Sequence, residues 1–203
     1  MPELQNKFSE LHRRVSMTSK ARYCASRRLQ FHKMMSQWTV TLIAVGLIAV
    51  SVLAISPVTL RFSLPYVAVM QIIFSVLILA YTLLLSLGDY SARAVKIHRC
   101  GMELGKIARE LKPYLEKQDD QGAYEKFVEK YYECLEKYEN HETCDYFEAF
   151  LAEQGSVGET GNAEGLVAKF WTYVQYLWSR YVPTAHYVIV LGLVYLWIFL
   201  LVK

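Results

Sequence analysis

Two long uncharged runs limit what this chain can fold into. No charged side chain occurs from Met34 to Leu60 or from Phe62 to Gly88, and Arg61 alone separates the two. A helix rises about 1.5 Å per residue, so roughly 17 to 25 apolar residues cross a hydrocarbon core of about 30 Å. Trp38–Ile55 and Leu64–Leu87 both meet that length. A soluble core helix would carry a polar face at its own period, and neither run does. The pair reads as a membrane-spanning helical hairpin with a short loop at Ser56–Ser63.

The second run carries a polar stripe. Gln71, Ser75, Thr82 and Ser86 fall within about 60° of one another on a helix of about 3.6 residues per turn. Amide and hydroxyl groups facing lipid lack partners, so this stripe is expected to face protein or water. Two readings stay open: hydrogen-bonding glue between helices, or the wall of an oligomeric pore. Gln71 is the stronger pore residue, because its amide needs several partners and few stand nearby. The first run places Thr41, Gly46 and Ser51 on different faces and offers no matching stripe.

The formal charge of +3 is unevenly spread. Arg22, Arg27, Arg28 and Lys33 precede the first span; Arg93, Lys96 and Arg99 follow the second. This basic collar sets both flanks in the cytoplasm and the loop outside. Beside two spans it suits anionic lipid headgroups, and no direct nucleic acid partner is expected. Residues 1–33 hold no apolar core of the length a cleavable signal peptide needs. Cys24, Cys100, Cys134 and Cys144 all fall on the cytoplasmic side and should be reduced thiols. Cys134, His141 and Cys144 match no zinc spacing and lack a fourth ligand. No metal and no cofactor are expected.

The chain divides into five stretches. Residues 1–33 form cytoplasmic N-terminal helices: a short amphipathic one over 3–15 with Leu4, Phe8, Leu11 and Val15 on one stripe, a break at Ser16–Ser19, and Ser19 capping the next. Residues 34–87 are the transmembrane hairpin. Residues 88–153 are a cytoplasmic helical bundle, continuous with the second span. Its first helix carries a seam of Ile97, Gly101, Leu104, Ala108 and Leu111 at alternating steps of four and three, the repeat of a bundle or oligomer interface. Pro113 ends it. A second helix is expected over 123–139 and a third after a turn at Asn140–Asp145. From Glu116 to Glu153 acids outnumber bases by 12 to 4, a solvated face turned from anionic lipid. Residues 154–165 read as a flexible linker. In 166–203, Trp171, Tyr173, Tyr176, Trp178 and Tyr181 suit the membrane boundary. The segment from Tyr181 to Val202 is either a third crossing or a helix lying in the interface. The fold class is an all-α membrane protein: a transmembrane hairpin continuous with a cytoplasmic bundle, plus a C-terminal hydrophobic helix.

At these junctions the sequence resembles the SLATT family, the SMODS- and SLOG-associating two-transmembrane effectors. The matching residues are Lys20-Ala21-Arg22-Tyr23 and Ser26-Arg27-Arg28 before the first span. After the second come Tyr90-Ser91-Ala92-Arg93-Ala94, His98-Arg99-Cys100, Glu110-Leu111, Glu139-Asn140-His141 and Asp145-Tyr146. They cover residues 15–150, and their order around two spans carries the likeness; the third hydrophobic segment lies beyond the two-span pattern. The resemblance implies a bacterial anti-phage effector that permeabilises or depolarises the membrane and kills or arrests the infected cell. It implies a sensor partner, a nucleotidyltransferase or reverse transcriptase, or its nucleotide product, and the chain is similar to the reverse-transcriptase-associated subgroup.

Taken together, these features point to a non-enzymatic, homo-oligomeric pore-forming effector. The alternative is a membrane-anchored scaffold that recruits a partner through its cytoplasmic helices. His98 with Glu103, and His141 with Cys144, are the adjacent titratable pairs, and neither forms a nucleophile–base–orienter set. The glycines of 155–165 are not followed by Lys-Ser or Lys-Thr, so no phosphate loop is present. A nucleotide trigger would fall to Arg93, Arg99 or Arg109.

Overall fold

The structure, a computed structural model, describes residues 2–57, 59–115, 120–154 and 163–201; for residues 2–6, 154, 163–170 and 172 it describes the backbone alone. The described residues form six α-helices: α1 (Pro2–Ile55), α2 (Leu64–Leu87), α3 (Tyr90–Leu111), α4 (Gln121–Glu136), α5 (Thr143–Gln154) and α6 (Ala163–Leu201). A 3-10 turn, Lys112–Leu115, follows α3. Beyond an isolated bridge at Leu60, no strand occurs among the described residues. Three helical segments are long and apolar enough to cross a membrane, within Lys7–Ile55, Leu64–Leu115 and Tyr173–Leu201. The expected all-α membrane class is therefore what the chain adopts.

Two compact units share the chain. Phe31–Tyr90 with Tyr181–Lys203 makes an apolar unit, and Met1–Gln30 with Ser91–Arg180 makes a charged unit. In the apolar unit, the C-terminal part of α6 runs parallel to α1. Tyr187 donates its hydroxyl to the His32 carbonyl at 3.4 Å and Tyr195 to that of Leu42 at 3.0 Å. Further along, Ile198 lies against Gly46, its Cδ1 3.0 Å from the place a Cβ would take, and Leu201 packs with Val50 and Val67. These contacts advance in step along both helices. This part of α6 is also long and apolar enough to cross a membrane. The missing side chain of Gly46 leaves the room that Ile198 fills, a use small residues have in apolar bundles.

The charged unit is built around α3. Phe8, Leu11 and Val15 of α1 meet Cys100, Leu104, Ile107 and Leu111 of α3 and Phe127 and Cys134 of α4. Of the N-terminal stripe, Leu4 lies outside the described side chains. Two helix starts follow from local chemistry. Asp120 accepts the Ala123 N–H at 2.9 Å and caps α4. Asp145, in the first turn of α5, accepts the Glu142 N–H at 2.9 Å, the reciprocal half of a capping box.

Four sequence expectations need correction. No break occurs at Ser16–Ser19: α1 is one helix. Thr18 donates to the Arg14 carbonyl one turn back and Ser19 to the Gly101 carbonyl of α3, both at 2.8 Å, so neither hydroxyl caps a new helix start. The span α2 is not continuous with α3. Gly88 closes α2 and Asp89 adopts φ 39°, a left-handed conformation that Asp tolerates better than most residues. The linker expected over 154–165 is helical at 163–165, and its residues 155–162 lie outside the described residues. Finally, Pro183 does not start a helix but sits inside α6.

Candidate functional site

In the apolar unit Gln71 finds partners across the hairpin. Its Nε2 donates to Ser51 Oγ at 2.6 Å and to the Leu47 carbonyl at 3.1 Å, while Ser51 Oγ itself donates to Leu47 O at 3.1 Å. The expectation that few partners stand nearby fails because one serine and the carbonyl one turn before it suffice. Ser75 and Thr82 behave differently. Both are exposed and donate to the carbonyls four residues earlier, Gln71 O at 2.8 Å and Ile78 O at 2.7 Å. A hydroxyl satisfied within its own helix does not need to face protein or water. Ser86 is exposed at the end of α2. The stripe thus splits into one interhelical contact and exposed hydroxyls. Beside it lies an open groove whose walls are Leu47, Ile48 and Ser51 of α1 and Gln71, Ser75 and Leu79 of α2.

The seam residues Ile97, Gly101, Leu104, Ala108 and Leu111 are all buried within the charged unit of one chain. The small residues serve close approach. Ser26 of α1 donates to the Ala94 carbonyl at 3.0 Å and Ser19 to that of Gly101. A Cβ at Gly101 would stand 3.2 Å from the Tyr23 ring.

The basic collar is not one ring of equivalent cations. Arg22 is 2% exposed and Arg28 is 8% exposed, so these two are not free to meet headgroups. They lie on the face of α1 that packs inward with Ala21, Ala25 and Leu29. Arg28 grips Asp145 with Nε on Oδ1 at 2.9 Å and Nη2 on Oδ2 at 3.1 Å, and its Nη1 pairs with Glu142 at 2.9 Å. Arg27 pairs with Glu148 at 3.0 Å and Arg93 with Glu139 at 2.9 Å. Lys33, Lys96 and Arg99 are exposed. The three arginines named for a nucleotide do not converge. Arg93 is engaged by Glu139, Arg109 reaches back to the Gly105 carbonyl, and with about 3.6 residues per turn all three leave α3 on different faces.

Residues 4–201 match the model of the SMODS and SLOG-associating 2TM effector domain family 5. The chain belongs to this family. No curated protein and no solved structure matches it. The match runs through the third hydrophobic helix, so in this SLATT chain that helix lies inside the matched region and is not an appendage to it.

The SLATT motif residues quoted from the sequence meet in pairs. Ser26 reaches Ala94, Arg28 reaches Asp145 and Arg93 reaches Glu139. Sequence reading assigned Ser19 to a cap and Ser51 to no partner, and it missed the acidic partners Glu142 and Glu148. A signal for the Ser19 contact existed, since Ser19, Arg22 and Ser26 are spaced by three and four on a face flanked by alanines. Three groups of the charged unit hold their protons more tightly than usual. Burial, then the neighbouring Cys100, pushes the Cys134 thiol to about 12; burial and Asp145 push Cys144 to about 11. Tyr138 is raised to about 12 because its hydroxyl donates to Glu103 at 2.7 Å. No group of three or more His, Cys, Asp or Glu residues among the described residues is arranged to hold a metal ion.

Proposed function

We propose that this SLATT chain is a non-enzymatic effector of bacterial anti-phage defence that depolarises the inner membrane after self-association. The observation that carries the reading is the incomplete packing of the hairpin. Gln71 and Ser51 pair at the floor of a groove whose apolar walls, Ile48, Ile72, Val76 and Leu79, are exposed. Neighbouring hairpins would fill that groove, and a shift of α2 against α1 would release the Gln71 amide toward water along the hydroxyl line of Ser75, Thr82 and Ser86. The basic flanks orient the charged unit to the cytoplasm, where a nucleotidyltransferase or reverse transcriptase, or its nucleotide product, changes the packing of α1, α3 and α5. Membrane potential, followed with a voltage-sensitive dye in cells expressing the chain with its sensor gene during phage challenge, tests this. Potential should collapse before growth stops, and Gln71→Leu with Ser51→Ala should preserve it. Growth arrest at full potential would refute the proposal.

A further inference from the structure

Among the described residues, the charged unit holds one arginine, Arg22, that is buried with two nitrogens lacking a hydrogen-bond partner. Arg22 lies on the face of α1 that also carries Ser19 and Ser26, whose hydroxyls are spent on α3 carbonyls. Its Nε and Nη1 are buried and have no hydrogen-bond partner among the described residues. The Nδ1 of His141, in the segment entering α5, is buried and equally without a partner. Arg28, on the same buried face of α1 as Arg22, pairs with Glu142 at 2.9 Å, which brings the adjacent His141 to that face, and the Arg22 charge adds to burial in lowering the His141 pKa. The nearby carboxylates are committed elsewhere: both oxygens of Asp145 are occupied by Arg28 and the Glu142 N–H, and Glu142 itself pairs with Arg28. The thiol that faces Arg22, Cys100, is held neutral by burial.

A buried guanidinium without an acceptor is costly, and the match for it is an anion that takes several N–H bonds at once. A neutral imidazole adds a further N–H donor when Nδ1 carries its proton. His141 as a whole residue is only half-buried. We propose that Arg22 and His141 form a binding site for a phosphate group, seated between α1 and the turn that leads into α5. The phosphate belongs either to a soluble phosphorylated molecule or to a lipid headgroup. This site is independent of whether the apolar unit conducts ions.

The test uses the full chain purified in maltoside detergent, free of phosphate. Inorganic phosphate and short-chain phosphatidic acid are titrated separately by calorimetry and by thermal unfolding. Saturable binding with a rise in melting temperature is expected. Binding by inorganic phosphate assigns a soluble ligand, and binding by the lipid alone assigns a headgroup. His141→Asn should weaken binding about tenfold, whereas Arg99→Gln should leave it unchanged. Arg22→Met supplies the decisive signature. Without phosphate it should be more stable than the parent chain, because an unpaired buried charge is gone, and phosphate should no longer stabilise it. The proposal is overturned if neither ligand binds, if Arg22→Met binds as the parent does, or if that variant is less stable or fails to fold without phosphate.

Discussion

The pair Arg28–Asp145 is the contact whose removal should cost this fold most. Asp145 is 0% exposed, and its carboxylate accepts three N–H bonds, two from Arg28 and one from Glu142. Asp145→Asn keeps the shape but turns one oxygen into an NH2 that must face a donor. The lesser evil points it at Arg28 Nε and gives up one bond. Arg28, whose side chain is 10% exposed, then keeps only Glu142, itself 57% exposed, as a counter-charge. Breaking one side of a buried pair costs about 3–5 kcal/mol, and the residual Glu142 contact argues for about 3 kcal/mol. For a unit of this size the melting temperature should fall on the order of 10 °C. Arg28→Met alone should cost as much, by stranding the carboxylate. The double variant Arg28→Met with Asp145→Leu should return to within about 1 kcal/mol of the parent, since burying two apolar groups replaces a pair that had to be desolvated. Circular dichroism of thermal unfolding in detergent measures all three. Single variants losing less than about 1 kcal/mol, or a double variant that simply adds the two losses, would contradict the reasoning.

Three further outcomes follow from the same contacts. Gln71→Leu removes the amide that bridges α2 to Ser51 and Leu47, and should weaken hairpin association by about 0.6–2 kcal/mol, read as a lower midpoint in steric-trap or detergent-denaturation assays; Ser75→Ala, satisfied within its own helix, should change it little. Gly101→Leu drives a side chain into the Tyr23 ring and should cost about 1–3 kcal/mol of overpacking, seen in thermal unfolding. His141 has its pKa lowered below 6.5 by burial and Arg22, so the unfolded chain binds the proton more readily; stability in phosphate-free buffer should be full above pH 6.5 and fall as the pH drops below it, an effect that His141→Gln abolishes.

The parts of the fold legible in sequence are those where one physical requirement sets every residue in a stretch. Crossing hydrocarbon forbids charge over the whole of α2, and a packed seam forces Ile97, Gly101, Leu104, Ala108 and Leu111 to recur with the helical turn. The breaks were harder, because a break is decided by one or two groups with competing options. Ser16–Ser19 looks like a cap cluster, yet Ser19 prefers an α3 carbonyl that only tertiary structure brings within reach. Gly88-Asp89 looks like any other pair in a long helix, and a single left-handed residue ends α2 there. Pro183 reads as a boundary; within α6 it removes one backbone donor, and the hydroxyl of Thr184 reaches the Tyr181 carbonyl in the same turn at 2.8 Å.

The candidate site shows why periodicity alone is a poor guide to polar residues in a span. A hydroxyl carries its own solution, since it reaches the carbonyl one turn back, as Ser75, Thr82, Thr41 and Ser51 all do. Its presence on a stripe therefore places no demand on what the stripe faces. An amide has no such internal solution for both of its N–H bonds, and Gln71 accordingly reaches another helix. The same asymmetry separates the cations: exposed Lys96 and Arg99 need nothing from the fold, while Arg28 requires Asp145, and Arg22, equally sequestered, has no hydrogen-bonded acid among the described residues. Groups that cannot satisfy themselves locally are thus the ones that depend on tertiary structure, and in the apolar and charged units Gln71 and Arg22 are the clearest cases.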